Sequence, residues 1–439
     1  MAGDAGPALA DPLQLSEVEI VPSGPLHGVC RAPASKSVTN RLLLAAALAE
    51  GTSHLAGILR SDDTAVMMAA LRSLGAAVRE SDGSVEIVGT DGRLRAPEGV
   101  ITAGLSGTTL RWLAAAALLV NGPVVLDGDP PLRRRPIRPL LQALESLGAR
   151  IETDNGRPPL RITSGGLPGG RISVDAGESS QFATSLLLVA PYAEADVVLD
   201  VRNLGAGGYV DLTLETMSRW GAEAGLSAEG FYVVRAGRHY QARDEVVEYD
   251  ASAAGHLFAL AMATGGSVTV PNADATRQPD AALTAVFAAM GGQAVRHGAG
   301  GVTVSRGGPM DGIDLDISAM PDQVPALAAL GALAGGVTRL RNAAVARGHE
   351  TDRVAAVGRE LRKLGAEVEE EGDDLVVHGG RSLTGAVLDT YDDHRMAMAL
   401  ASLGAVVPGV VIRHPGCVSK TYPGYWRDAA ALGMRFRPA

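Results

Sequence analysis

A sixfold internal repeat constrains the fold of this 439-residue chain more than any other feature of its sequence. The repeated segment is helix-like, ends in Gly and continues into a short strand. It recurs at intervals of about 70 residues as LRSLGAAV, LESLGARI, MSRWGAEA, FAAMGGQAV, LRKLGAEV and DAAALGMRF. Glycine just past the last helical turn takes the left-handed conformation that ends a helix. We therefore predict helix ends at Gly75, Gly148, Gly221, Gly291, Gly365 and Gly433.

A second series of segments alternates with the first. These are Ala- and Leu-rich helices followed by a break and a strand, such as LLLAAALAEGTSHLAG and LFALAMATGGSVTV. They are apolar nearly all round, which predicts helices buried inside the protein. The sequence thus predicts six α/β repeats, each with one buried and one more polar helix. The period is too long for a solenoid and favours globular domains built from repeated units.

Composition limits the class of protein. At about 150 residues per domain, the length predicts two or three domains. Hydrophobic residues make up 46% and charged residues 20%, as in ordinary globular proteins. The formal net charge of −10 argues against a chain that coats nucleic acid or an anionic membrane by bulk attraction. We expect neither nucleic acid nor membrane as a partner.

The cysteines and the N-terminal segment bear on the location of the protein. Cys30 and Cys417 cannot form a disulfide framework and have no CxxC spacing, so we expect a reducing cytoplasm. No cationic leader precedes an apolar stretch, so we expect no secretory signal. One long uncharged stretch, 396–412, is interrupted by Gly and Pro and is too short to span a bilayer. The segment through about Gln14 has no assigned role and is expected to be mobile.

Polar clusters stand where the repeats begin, most of them next to predicted helix starts. They are ASKSVTNR from Ala34, GTTLR from Gly107, RRRPI from Arg133, SSQ from Ser179, PD at Asp322, HETDR from His349, DDHR from Asp392 and CVSK from Cys417. Each cluster alone is explained by helix capping or by a solvated run of charges. Together they place cationic and acid–base groups at helix N-termini, where free N–H groups and the helix dipole attract anions.

These clusters, from about Pro25 to Tyr425, resemble the 5-enolpyruvylshikimate-3-phosphate synthase family in order and spacing. The most specific pieces are SKSVTNR, GTTLR, RRPI, SSQF, PD, HETDR, DDHRMAMA and SKTYP. The resemblance implies an α/β fold of two similar domains, an inside-out α/β barrel with three repeats in each domain. It also implies two crossings between the domains, near Ala34 and Glu248. Residues 1–34 plus 248–439 would form a discontinuous first domain and 35–247 the second, with the active site in the cleft.

The implied reaction is transfer of the enolpyruvyl group from phosphoenolpyruvate to the 5-hydroxyl of shikimate 3-phosphate, by addition and elimination of phosphate. The family implies a monomer and no cofactor. The nine histidines form no HxxxH or HExxH arrangement, so we expect no metal.

The family's functional residues are carried over only where this sequence matches the motifs. The phosphoenolpyruvate site would consist of Lys36, Gly107, Arg135, Gln181, Arg353, Arg395 and Lys420. Guanidinium groups suit this ligand because they bind phosphate and carboxylate bidentately. The acceptor site would consist of Ser37, Arg41, Ser179, Ser180, Gln181, Tyr209, Asp322 and His349. With Arg111, the cations of these sets form a basic island in an acidic protein.

The expected catalytic set is Lys36, Asp322, Glu350, His394, Arg395 and Lys420. In the implied mechanism, Glu350 protonates the methylene carbon of phosphoenolpyruvate. Asp322, assisted by Lys36, handles the hydroxyl proton of the acceptor. Lys420 and Arg395 stabilise the departing phosphate.

Departures from the family pattern fall on the acceptor side. Ala34 replaces a usual Gly, Leu105-Ser106 a frequent Asn-Ala, and His349 a frequent Lys. Ala206 stands where a serine commonly touches the substrate phosphate, and Val345 where a polar contact to the ring hydroxyls is common. Another phosphorylated polyol or a nucleotide therefore stays open as the acceptor.

Two further alternatives predict different residues. UDP-N-acetylglucosamine enolpyruvyl transferases share the fold and the donor, but carry a reactive cysteine in the loop before the Arg-Pro element. Here the corresponding loop, 121–135, has none. A non-catalytic binding protein with this fold predicts loss of the charged groups, yet Lys36, Arg135, Glu350 and Lys420 are present among others.

Overall fold

The computed structural model describes residues 12–274, 276–298 and 300–439, and the chain divides into two compact units. Unit 1 contains the residues up to Pro33, Ala251–Thr276 and Asp280–Ala439; unit 2 contains Ala34–Asp250 and Arg277–Pro279. The sequence-based boundaries, at residues 34 and 248, lie a few residues from these. Residues 277–279, which the sequence assigned to the first domain, belong to unit 2. Most of the N-terminal segment, residues 1–11, lies outside the described residues, and Pro12–Gln14 form a 3₁₀ turn.

The secondary structure repeats strands and helices in a regular order. The strands are β1 (Glu17–Val21), β2 (His27–Val29), β3 (Thr52–Ala56), β4 (Ala77–Ser81), β5 (Ser84–Val88), β6 (Val100–Thr102), β7 (Pro123–Asp127), β8 (Arg150–Asp154), β9 (Arg157–Thr163), β10 (Gly170–Asp175), β11 (Val197–Arg202), β12 (Ala224–Leu226), β13 (Tyr232–Val234), β14 (Glu245–Val246), β15 (Ser267–Val270), β16 (Gln293–Arg296), β17 (Val302–Ser305), β18 (Asp314–Asp316), β19 (Val337–Arg341), β20 (Glu367–Glu371), β21 (Asp374–His378), β22 (Val387–Leu388), β23 (Val410–Arg413) and β24 (Arg435–Pro438). The helices are α1 (Lys36–Leu48), α2 (Asp62–Ser73), α3 (Gly107–Ala116), α4 (Pro130–Arg133), α5 (Arg138–Ser146), α6 (Gln181–Val189), α7 (Gly208–Arg219), α8 (Ala251–Thr264), α9 (Leu283–Ala289), α10 (Val324–Leu333), α11 (Ala344–Arg347), α12 (Arg353–Lys363), α13 (His394–Gly404) and α14 (Tyr425–Ala431).

Each unit contains three four-stranded sheets with one shared topology. In unit 2 the strand orders are β14-β3-β5-β4, β6-β7-β9-β8 and β10-β11-β13-β12. In unit 1 they are β2-β15-β17-β16, β18-β19-β21-β20 and β22-β23-β1-β24. In every sheet the first two strands are parallel and the other pairings are antiparallel. The predicted α/β fold of six repeats is confirmed.

Two short strands pair with strands that lie far away in the sequence. Strand β2 precedes α1 of unit 2 in sequence, but it pairs with β15 in unit 1. Strand β14 precedes α8 of unit 1, but it pairs with β3 in unit 2. In each unit, the first strand of one sheet therefore comes from the segment just before the chain passes into the other unit.

The Ala- and Leu-rich helices α1, α3, α6, α8, α10 and α13 form the cores of the two units. Every residue of α3, α8 and α13 is buried. This confirms the prediction from their all-round apolar sequences. A fully buried helix can present polar groups only at its ends, so its N-terminus is the natural place for a site. No helix of the described residues combines the length and apolarity needed to cross a membrane.

The predicted helix ends are also found. The six repeat glycines each lie two residues past the last residue of a helix, and their φ angles run from 90° to 106°. The RRRPI segment lies directly before a helix start, because its last residue, Ile137, is the N-cap residue of α5. Residues 134–137 join α4 to α5, which begins at Arg138.

The backbone conformation at Gly148 can be tested alone, because no atom lies within 4 Å of a Cβ built there while its φ is 92°. We expect Gly148→Ala to lower the free energy of unfolding by about 1–2 kcal/mol, the cost of a left-handed L-residue. Gly225→Ala is the matched control, since Gly225 has equal space and no positive φ. Urea unfolding monitored by circular dichroism measures both. Equal stability of the two variants would contradict the left-handed conformation assigned to Gly148.

Candidate active site

The buried guanidinium of Arg353 is the centre of a charged cluster in unit 1. Arg353 is 1% exposed and begins α12, whose N-cap residue Asp352 accepts a hydrogen bond from the Ala355 amide. Its Nε donates to Asp393 at 2.7 Å, one terminal nitrogen to Asp322 at 2.5 Å and the other to Glu350 at 2.8 Å. Three carboxylates from different segments are therefore fixed around one cation.

The cluster continues to the N-terminus of α13 and to the 3₁₀ helix Pro415–Lys420. Asp393 caps α13 by accepting from the Arg395 amide at 2.8 Å. The Arg395 guanidinium lies 3.4 Å from Asp322, and the Lys420 ammonium 3.1 Å from Glu350. Of the residues predicted in this half of the sequence, the structure thus brings together Asp322, Glu350, Arg353, Arg395 and Lys420, and His349 contacts them.

The cluster sets the charge state of Asp322. Burial alone would raise the pKa of Asp322, but the positive charges of Arg395 and Arg353 outweigh it and hold this pKa well below its usual range. Asp322 is therefore an ionised hydrogen-bond acceptor and a weak proton acceptor. Burial lowers the pKa of the neighbouring His349, so its imidazole favours the neutral form. Burial opposes the charged form of Arg353, but Asp393 and the other carboxylates raise its pKa.

His394 differs from the other expected catalytic residues. Its side chain is 0% exposed, and its Nδ1 lies 3.7 Å from Asp393. In this conformation the imidazole has no surface through which it could touch a substrate. Glu350, in contrast, is 14% exposed and bridges Arg353 and Lys420.

In unit 2, the N-termini of α3 and α6 carry a second group of polar side chains. Arg111 donates to the Gln181 side-chain oxygen at 2.8 Å and to Ser179 Oγ at 3.3 Å. The Gln181 amide nitrogen donates to Thr108 at 3.3 Å. A Cβ at Gly107 would lie 2.7 Å from the Arg135 guanidinium. Glycine at this position thus lets the Arg135 side chain lie against the start of α3.

The N-terminus of α1 presents Lys36 and Ser37 of the first motif. Ser35 caps the helix through the Val38 amide, and the Lys36 amide donates to Asp250 at 3.0 Å. The Lys36 ammonium lies 3.6 Å from Asp63 and remains 17% exposed. An anionic ligand of Lys36 would therefore compete with a buried carboxylate.

Arg41, expected to contact the acceptor, has an enclosed environment. It donates to Thr213 Oγ1 at 3.0 Å and to the backbone oxygens of Ser37 and Tyr209, both at 2.7 Å. Its guanidinium carbon lies 5.2 Å from the centre of the Trp112 ring. Burial lowers the pKa of Arg41 to about 10, which still leaves it charged at neutral pH.

The remaining acceptor-side residues have the following places. Ser180 is the N-cap residue of α6 and makes no capping hydrogen bond through its side chain. Ala206 is buried before α7, and Val345 lies in α11. Ala34 forms an antiparallel bridge with Tyr249.

Sequence reasoning missed the partners that hold these cations. Asp393 belongs to the DDHR motif, but the motif does not show that its carboxylate accepts hydrogen bonds from Arg353. Asp63 and Thr213, the partners of Lys36 and Arg41, carried no recognisable signal. His256 of α8 was also missed. It is 1% exposed, and neither ring nitrogen has a hydrogen-bond partner among the described residues.

One group of potential metal ligands occurs in the described part of the chain. Ligand atoms of Glu367, Glu369 and His378 lie within 4.8 Å of one another on β20 and β21. Glu367 is paired with Arg381, and the Nε2 atom of His378 lies 3.1 Å from a carboxylate oxygen of Glu369. Exposed acidic residues commonly form such groups without an ion.

Comparisons with known proteins give one consistent result. The family model described as EPSP synthase (3-phosphoshikimate 1-carboxyvinyltransferase) matches residues 20–429. The chain is 42% identical over 422 residues to the 3-phosphoshikimate 1-carboxyvinyltransferase of Methanoculleus marisnigri, covering 95% of this chain and 99% of that relative. It is 39% identical to the Rhizobium etli protein of the same name, covering 96% and 98%. The solved structure of EPSP synthase from Acinetobacter baumannii is similar, with a TM-score of 0.77, 24% identity and coverage of 96% and 99%; this likeness concerns the fold.

The buried pair of Asp393 and Arg353 allows a stability test. Asp393→Asn leaves the Arg353 charge partly uncompensated, so we expect the free energy of unfolding to fall by about 3–5 kcal/mol. The control is Asp314→Asn, because Asp314 pairs with Arg341 while 64% exposed. Such a surface pair contributes less than about 1 kcal/mol. Urea titration compares the two variants, and a loss at Asp393 no larger than at Asp314 would contradict the stabilising role of the buried pair.

His256 predicts a pH effect on stability. Burial, reinforced by Arg395 and Arg353, holds the pKa of His256 well below its usual range. The unfolded side chain takes up a proton near pH 6.5 and the folded one does not, so acid favours unfolding. We expect His256→Leu to reduce the stability lost between pH 7 and pH 5 by about 2 kcal/mol. His27→Leu, at an exposed position, is the control and should leave this loss unchanged.

Proposed function

The chain belongs to the EPSP synthase family, and we propose that it transfers the enolpyruvyl group of phosphoenolpyruvate to the 5-hydroxyl of shikimate 3-phosphate. The observation that carries this proposal is the cluster around Arg353. It combines two partly exposed carboxylates, Asp322 and Glu350, with the cations Arg395 and Lys420. The reaction joins two anionic substrates and moves protons. It therefore requires cations to bind the substrates and carboxylates to handle the protons.

The donor would be bound by the cations that the family resemblance assigns to it. Phosphoenolpyruvate carries a phosphate and a carboxylate on three carbons, and Arg395 and Lys420 in unit 1 offer it positive charge. Unit 2 offers Lys36, Arg135 and Gln181, with Gly107 leaving room for the arginine. Lys36, Arg395 and Lys420 each have a carboxylate within 3.6 Å, so ligand anions would replace or share existing contacts.

The first chemical step is addition across the double bond. Glu350, in its protonated form, would give a proton to the methylene carbon of phosphoenolpyruvate, which becomes a methyl group. The hydroxyl oxygen of the acceptor then bonds to the central carbon. Asp322 would orient this hydroxyl as a hydrogen-bond acceptor. The low pKa of Asp322 makes it a weak proton acceptor, so the hydroxyl proton would pass through it, with Lys36 assisting, to the departing phosphate.

The second step is elimination. The tetrahedral adduct loses a methyl proton, which would return to Glu350, and the carbon–oxygen bond to phosphate breaks. Arg395 and Lys420 would stabilise the negative charge on the departing phosphate. The enolpyruvyl ether and inorganic phosphate are the products. The sequence assigns no separate step to His394, and its complete burial favours a supporting role.

The acceptor would be held mainly by hydroxyl and amide side chains. Ser179, Ser180 and Gln181 would hold the 3-phosphate, and Ser37, Tyr209 and His349 would line the rest of the acceptor site. Ala206 and Val345 cannot make the polar contacts common at their positions, so binding would depend more on the serines. A monomeric, cytoplasmic enzyme without cofactor or metal is part of the same proposal and rests on the family resemblance.

The activity is tested by measuring phosphate released from phosphoenolpyruvate with shikimate 3-phosphate. We expect Glu350→Gln and Asp322→Asn to lower kcat by about 10²–10⁴-fold, because each removes a group that handles a proton or a hydroxyl. Glu369→Gln and Asp314→Asn, at exposed positions of unit 1, are matched controls and should retain activity.

Acceptor identity is tested in the same assay with a nucleotide sugar and with other phosphorylated polyols. Faster release with one of these than with shikimate 3-phosphate would replace the proposed acceptor and keep the donor. Near wild-type turnover in both Glu350→Gln and Asp322→Asn would refute the assigned roles.

A further inference from the structure

The segment before α13, residues 389–393, has an unusual backbone. We call it the corner. Tyr391 and Asp392 have φ angles of 53° and 54°, so two successive residues with side chains are left-handed. This conformation is unfavourable for L-residues, and for tyrosine in particular. The corner leads directly into Asp393 and Arg395, so something must hold it in place.

The carboxylate of Glu360 holds the first half of the corner. Glu360 is 0% exposed and lies in α12. Its Oε1 accepts a hydrogen bond from the Tyr391 hydroxyl at 2.6 Å, and its Oε2 accepts from the Asp389 amide at 2.9 Å. Lys363 neutralises it at 2.6 Å. The Asp389 side chain in turn accepts from the Tyr391 amide at 2.7 Å.

Arg353 holds the other end of the corner. Its guanidinium donates to both oxygens of Asp393, at 2.7 and 3.1 Å. Arg353 and Glu360 are seven residues apart in α12, close to two helical turns, and so lie on one face of that helix. Residues on one face of α12 therefore form hydrogen bonds with both ends of the corner.

We propose that Glu360 and Tyr391 are positioning residues for the reaction. They keep the corner left-handed, which fixes Asp393, and Asp393 fixes the Arg353 guanidinium and the amide of Arg395. Neither residue is expected to touch a substrate. The effect on turnover rests on the proposed function, whereas the effect on the corner does not.

The experiment removes one hydroxyl and then relieves the backbone. In Tyr391→Phe the corner loses its bond to Glu360 and the bond that Arg359 donates to the same hydroxyl at 3.1 Å. We expect kcat to fall about ten- to a hundredfold with a smaller change in KM. Hydrogen exchange of the 389–396 amides should quicken. Adding Asp392→Gly, which removes the penalty for positive φ at that position, should restore much of both losses. Asp392→Gly alone should remain close to wild type.

Two controls separate positioning from general stability. Asp392 also contacts His414 at 3.4 Å, and Tyr391→Phe/Asp392→Ala loses that contact without gaining the freedom of glycine. It should not recover. Tyr425→Phe removes another buried hydroxyl of unit 1, bonded to Met398, and should leave kcat unchanged.

The outcomes distinguish the two proposals. An inactive wild-type protein whose 389–396 exchange still responds as described would reject the function and keep the corner mechanism. Wild-type kcat and exchange in Tyr391→Phe would overturn the corner mechanism. So would equal recovery with alanine and with glycine at position 392.

Discussion

The structure of the site depends on the burial of one positive charge. Arg353 is 1% exposed, and a guanidinium removed from water costs several kcal/mol unless carboxylates surround it. Asp322, Glu350 and Asp393 meet this need, and they come from three separate segments of unit 1. The charge therefore brings these segments together. Because Asp322 and Glu350 also contact Arg395 and Lys420, the same demand places these two buried cations.

The repeat fold explains why such groups stand at helix starts. Helices that are buried along their whole length, such as α3 and α13, leave unbonded backbone N–H groups only at their N-termini. Ser106 and Asp393 cap these two helices with their side chains. The free amides and the helix dipole then favour anions just beyond the caps. Every buried helix thus supplies a potential anion-facing end, and the motifs add cations to several of them.

The sequence predicted the parts of the molecule that local physics determines. Apolar periodicity gave the buried helices, and glycine at positive φ gave the helix ends at Gly75 and its equivalents. Pairings between distant residues left no such signal. The bond from Arg353 to Asp393 spans 40 residues. The pairings of β2 with β15 and of β14 with β3 also join strands that are far apart in the sequence.

Arg41 shows how a motif can indicate the right place and leave the role open. A cation in SKSVTNR suggested direct contact with an anionic acceptor. In the structure, three of its N–H groups already bond to Thr213 and to the backbones of Ser37 and Tyr209. Trp112 covers one face of the guanidinium. Arg41 therefore ties α1 to α7 and fixes Ser37 and Tyr209, two residues expected at the acceptor site.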